Sequence, residues 1–105
     1  MTTDDNWTYV IDEVTLKEGT ITPVYPLGIN IIMTRIDGEV YALNGCCPHM
    51  GCPLFMGTLT DAILTCPCHD WCFDLRTGQF LDAQEIRLKL YQTRLEDGKI
   101  YININ

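Results

Sequence analysis

Two short stretches hold all six cysteines and both histidines of this 105-residue chain. The first reads Cys46-Cys47-Pro48-His49-Met50-Gly51-Cys52-Pro53-Leu54, and the second reads Cys66-Pro67-Cys68-His69-Asp70-Trp71-Cys72-Phe73. Within them stand a C-x-H pattern and a C-x-x-H pattern, separated by the sixteen residues 50–65. Proline and glycine make both stretches loops rather than strand or helix interiors. Each loop offers one thiolate and one imidazole. A fold that uses this pattern must hold two loops side by side on a rigid frame.

The remainder of the chain reads as that frame, and it is all-β. Thr8 to Ile11 and Thr20 to Tyr25 read as strands, the second near an edge because it carries Pro23 and is followed by Pro26. Ile29 to Ile36 is an apolar run rich in β-branched residues, joined to Glu39 to Leu43 by Asp37-Gly38. Asp-Gly between two such runs is a strong hairpin signal. A second Asp-Gly, at 97–98, joins Tyr91–Leu95 to Lys99–Asn103. Ala62 to Thr65 and Trp71 to Phe73 read as short middle strands. Helical character is confined to Asp82 to Leu90, with a single turn over Asp12 to Lys17.

The length fits one domain, 1–105, whose functional loops span about 44–55 and 66–73. At 47% apolar residues the chain can build a core. Seven basic against fourteen acidic residues give a formal charge of −7. Nucleic acid is excluded as a partner, since phosphates need Lys and Arg; a basic docking face suits this surface. Residues 1–6 carry no export signal, and no run approaches the roughly 20 apolar residues of a membrane span. A soluble, cytoplasmic protein is expected. In that compartment clustered cysteines more often bind metal or perform redox work than form stable disulfides.

Two metal centres accept two sulfur and two nitrogen ligands. Zinc does so, but its usual spacing pairs cysteine with cysteine and histidine with histidine. A binuclear iron–sulfur cluster can place both cysteines on one iron and both histidines on the other. Here each loop supplies one ligand of each kind, so each loop would reach across both irons. The interleaved order favours the cluster.

At this point the residues resemble a known family. Cys47-x-His49-x-Gly51-x-x-Leu54, then Cys66-Pro67-x-His69-x-Trp71-x-Phe73-Asp74, is similar to the two-box signature of Rieske [2Fe–2S] proteins. Thr77-Gly78 and the run Val40-Tyr41-Ala42-Leu43 also resemble Rieske ferredoxins. The resemblance implies an antiparallel β-sandwich with a small cluster-binding subdomain formed by the two loops. It implies one [2Fe–2S] cluster per chain, held by Cys47, His49, Cys66 and His69. Cys47 and Cys66 would bind the inner ferric iron, and His49 and His69 the outer, redox-active one. Neutral imidazoles in place of two thiolates make reduction easier than in a four-cysteine cluster. Their proton affinity should rise on reduction, so the potential should fall with rising pH.

Other residues of the boxes carry further expectations. Gly51 and Pro48, Pro53 and Pro67 shape the turns. Trp71 and Phe73 should pack under the second loop, and Met50 with Leu54 could form an apolar docking spot. Cys52 and Cys68 occupy the positions at which Rieske proteins of cytochrome bc complexes carry a disulfide. Loop proximity argues for a bridge here, and a reducing compartment argues for two packed thiols. Cys46 and Cys72 should be ordinary buried thiols. Asp70 stands where the family usually has Gly; Asp tolerates unusual turns better than most residues. Its carboxylate should favour the oxidised form and lower the potential. The segment Asp82–Glu85 lacks the proline-rich cover typical of the family.

The implied function is one-electron transfer to or from a partner oxidoreductase or oxygenase, with a reductase and an acceptor enzyme as redox partners and a monomer as the working unit. A small subunit of a respiratory or nitrite-reductase-like complex is the second reading, and a zinc-stabilised interaction module the third. An enzyme in its own right is not expected, because no nucleotide-binding loop or nucleophile–base pair stands outside the boxes.

Overall fold

The computed structural model describes residues 7–47, 51–68 and 70–104. Among these, twelve strands make up the regular structure, with three short 3₁₀ turns and no α-helix. The strands are β1 (Trp7–Asp12), β2 (Ile21–Val24), β3 (Ile31–Ile36), β4 (Glu39–Asn44), β5 (Thr58–Thr60) and β6 (Ile63–Thr65). They continue as β7 (Cys72–Asp74), β8 (Gln79–Phe80), β9 (Ala83–Arg87), β10 (Leu90–Tyr91), β11 (Thr93–Glu96) and β12 (Lys99–Asn103). All described pairings are antiparallel, and they form three sheets: β1-β12-β11, β10-β4-β3-β2 and β5-β6-β7-β8-β9.

The apolar run in β3 explains the layering. Ile31, Ile32, Met33 and Thr34 are all fully buried, as a strand covered on both faces requires. On one face, Ile31, Met33 and Ala42 pack with Ile100 and Ile102 of the three-stranded sheet. On the other, Ile32, Ile36 and Leu43 pack with Leu64, Phe73 and Phe80 of the five-stranded sheet. The four-stranded sheet is therefore the middle layer. The loop-bearing unit is a sheet of its own, stacked on the outer face of the sandwich.

Both Asp-Gly hairpins form as expected. Asp37 and Gly38 have φ of 54° and 80°, and Asp97 and Gly98 have 55° and 76°. Positive φ at both central residues matches the right-handed twist of the flanking strands. The turn near Asp12 is a 3₁₀ turn, Glu13–Thr15.

The helical expectation for Asp82 to Leu90 is overturned. Ala83–Arg87 is the edge strand β9, pairing with β8 across a register shift between Gln79 and Phe80. That irregularity disrupts the period-two pattern by which a strand is recognised. Tyr91–Leu95 divides into β10 and β11, which belong to different sheets. Strands β5 and β8, of three and two residues, were not anticipated.

Candidate metal centre

Both expected loops emerge beside the five-stranded sheet. The first leaves β4 and is closed by an isolated antiparallel bridge between Cys46 and Pro53. The second connects β6 to β7. Each is closed by the same two backbone hydrogen bonds. In the first, Gly51 N–H donates to the Cys47 carbonyl (2.7 Å), and Cys47 N–H donates to the Cys52 carbonyl (3.0 Å). In the second, Asp70 N–H donates to the Cys66 carbonyl (3.1 Å), and Cys66 N–H donates to the Trp71 carbonyl (2.7 Å). The residue four places beyond Cys47 and that four places beyond Cys66 are both left-handed: φ is 71° at Gly51 and 59° at Asp70. The anticipated tolerance of Asp for this turn is what the backbone uses.

Of the four expected ligands, Cys47 and Cys66 are 2% and 1% exposed and belong to one apolar cluster with Ile32, Leu54, Leu64 and Phe73. His49 and His69 lie outside the described residues. Cysteine thiols at the base of two loops, walled by aliphatic and aromatic carbon, suit a thiolate-bound centre whose inner side is kept from water.

Cys52 and Cys68 form a disulfide, with Cα atoms 6.5 Å apart. It ties the first loop to the second. Cys46, Cys47, Cys66 and Cys72 remain thiols. The Sγ atoms of Cys52, Cys66 and Cys68 all lie within 4.8 Å of one another. Two of those sulfurs are engaged in the bridge, so this trio is not the expected ligand set.

Support comes from beneath. Trp71 stacks on Phe80 with ring centroids 4.1 Å apart and planes inclined by 6°, and Phe73 packs beside both. Trp71 and Phe73 thus fill the floor of the second loop as expected. Phe80 completes the stack, although its position in a two-residue strand gave no sign of it. Gly57, after the 3₁₀ turn Leu54–Met56, lies so close to β6 that a Cβ there would collide with the Thr65 carbonyl. This contact sets the exit of the first loop against the residue preceding Cys66.

Three expectations need correction. Cys46 is exposed and Cys72 half-buried, so neither is an ordinary buried thiol. Cys46 accepts a contact from Asn30 Nδ2 at 3.5 Å, and Cys72 donates to the Asp70 carbonyl at 3.5 Å. Leu54 is fully buried and cannot contribute to a docking spot, while Met50 lies outside the described residues. Among the described residues, Phe55 and Met56 next to Leu54 are exposed apolar side chains.

The family model for the Rieske [2Fe-2S] domain matches residues 6–92. The chain belongs to the Rieske [2Fe–2S] domain family. Its cofactor is accordingly a [2Fe–2S] cluster. This Rieske domain is 30% identical, over 96 residues, to the methanesulfonate monooxygenase ferredoxin subunit of Methylosulfonomonas methylovora, covering 90% of this chain and 78% of that one. The Sphingomonas yanoikuyae B1 ferredoxin superposes with a TM-score of 0.86 at 28% identity, covering 95% of this chain and all of that one. Human (Homo sapiens) apoptosis-inducing factor 3 is 34% identical over 73 residues; the match covers 69% of this chain but only 12% of that protein. No described helix is long and apolar enough to cross a membrane.

Proposed function

We propose that this chain is a single-domain one-electron carrier, residues 1–105, that holds its cluster through Cys47, His49, Cys66 and His69. The two thiolates would hold one iron and the two imidazoles the other. The observation that supports this most is the burial of Cys47 and Cys66 in one apolar cluster, at matching positions of two loops closed alike. The cluster, when bound, supplies reversible one-electron chemistry. The chain's own residues hold the loops in register and wall Cys47 and Cys66 from water.

The carrier passes electrons between a reductase and an acceptor enzyme, with an oxygenase as the acceptor favoured by the ferredoxin relatives. Its formal charge of −7 suits a partner with a basic face. A cytoplasmic location fits Cys46 and Cys72, which remain thiols outside the proposed ligand set. Monomer is the expected working state. The second reading, a subunit of a respiratory or nitrite-reductase-like complex, draws on one observation, the Cys52–Cys68 bridge. Native mass separates the two, because a carrier runs alone and a subunit co-purifies.

Anaerobic potentiometric titration tests the carrier reading. Reversible uptake of a single electron per chain is expected. A chain that takes up none, or that carries zinc instead of iron, contradicts it.

A further inference from the structure

We propose that Cys66 has a second chemistry: in the cluster-free chain it exchanges with the Cys52–Cys68 bridge, leaving a Cys52–Cys66 disulfide and a free Cys68. The proposal rests on the assignment of Cys66 as a cluster ligand, since iron is what otherwise occupies its sulfur. It is carried by the sulfur triangle. Cys66 Sγ lies within 4.8 Å of both sulfurs of the bridge, so the attacking sulfur already neighbours the bond it would break.

The step conserves thiols and disulfides. The Cys66 thiolate forms a bond to Cys52 Sγ, the Cys52–Cys68 bond breaks, and its electron pair leaves with Cys68, which takes a proton from water. No external oxidant or reductant enters. Exposure sets the direction. Cys66 is 1% exposed and belongs to the apolar cluster of Leu64, Phe73 and Leu54, whereas Cys68 is exposed. Exchange thus places the bridge on the buried sulfur and leaves the polar thiol in water. The alternative product, Cys66–Cys68, would close a ring across Pro67 alone, and short stiff loops close poorly.

The consequence is a chain that stores one ligand in a disulfide whenever its cluster is lost. Iron and sulfide then re-enter once Cys66 is freed, slowly by return attack of Cys68 on the bridge and faster when a dithiol reductant opens it. Loading is therefore faster in a reducing environment.

Disulfide mapping tests this. Holoprotein is stripped with an iron chelator anaerobically and without added thiol, quenched in acid, alkylated, digested and mapped by mass spectrometry. The holoprotein should yield the Cys52–Cys68 peptide. The stripped chain should yield Cys52–Cys66 as its main bridge, with Cys68 alkylated, and should reload with ferrous iron and sulfide at least tenfold better when dithiothreitol is present. Retention of Cys52–Cys68 with Cys66 alkylated, or a Cys66–Cys68 bridge, would overturn the proposal. The Cys66→Ser chain should keep Cys52–Cys68 after the same treatment. Iron and labile sulfide in the starting material report separately on the ligand assignment: iron present with the original bridge retained sinks the exchange alone.

Discussion

Gly51 and Asp70 occupy the same place in two loops: each donates its N–H to the carbonyl of the cysteine four residues before it, and each does so from left-handed backbone. One position uses the residue without a Cβ; the other uses a residue whose short polar side chain tolerates this region. Relief of left-handed strain in Asp70→Gly is opposed by greater freedom of the unfolded chain, so stability should stay within about 1 kcal/mol of the parent. Asp70→Val, β-branched at φ 59°, should cost about 2 kcal/mol or more. Guanidinium denaturation followed by circular dichroism checks both, and an unperturbed Asp70→Val would show that the turn does not hold this conformation.

The bridge joins residues sixteen apart. Closing a loop of that size restricts the unfolded chain by about 3 kcal/mol. Replacing Cys52 and Cys68 together by Ser should therefore destabilise the cluster-free chain by about 3 kcal/mol, since an exchanged Cys52–Cys66 bridge closes a loop of similar size and also needs Cys52. The holoprotein should lose less, because a cluster bound across both loops already ties them together. Parallel denaturation of the two forms measures the difference.

Gly57→Ala forces a methyl group onto the Thr65 carbonyl, and the obstacle is backbone that cannot rotate away. The first loop must move away from the second. The expected outcome is a loss of more than about 2 kcal/mol, together with faster cluster loss, followed as bleaching of the visible absorption under chelator.

Thr34 offers the opposite case. It is fully buried in β3, and its Oγ1 finds no hydrogen-bond partner among the described residues. An unsatisfied buried hydroxyl costs on the order of 1–3 kcal/mol. Thr34→Val keeps the shape and removes the orphan, so stability should rise by about 1 kcal/mol with the redox properties unchanged. A decrease would mean that the hydroxyl is bonded in solution.

Much of the frame was legible because its signals are local. Asp37-Gly38 and Asp97-Gly98 dictate their own turn geometry, and the unbroken run Ile31 to Met33 announces a strand covered on both sides. The two loops were legible because every Cys and His of the chain lies there, with three of its five prolines. What escaped depends on distance in sequence. Ala83–Arg87 is a strand only because β8 lies beside it, and its shifted register hides the alternation. The Trp71–Phe80 stack and the approach of Gly57 to Thr65 join residues that share no motif. Cys46 and Cys72 were expected to be buried as cysteines usually are, yet Cys46 is exposed in the first loop and Cys72, opening β7, is half-buried. The fold, not the residue type, decides such cases.

The central claim is tested most directly by the reduced protein's magnetic resonance, with iron and labile sulfide measured on the same sample. The account predicts two irons and two sulfides per chain, an iron–sulfur signal on one-electron reduction, and hyperfine coupling to two imidazole nitrogens that responds to 15N-histidine labelling. A cluster without nitrogen coupling, or zinc in place of iron, would contradict it.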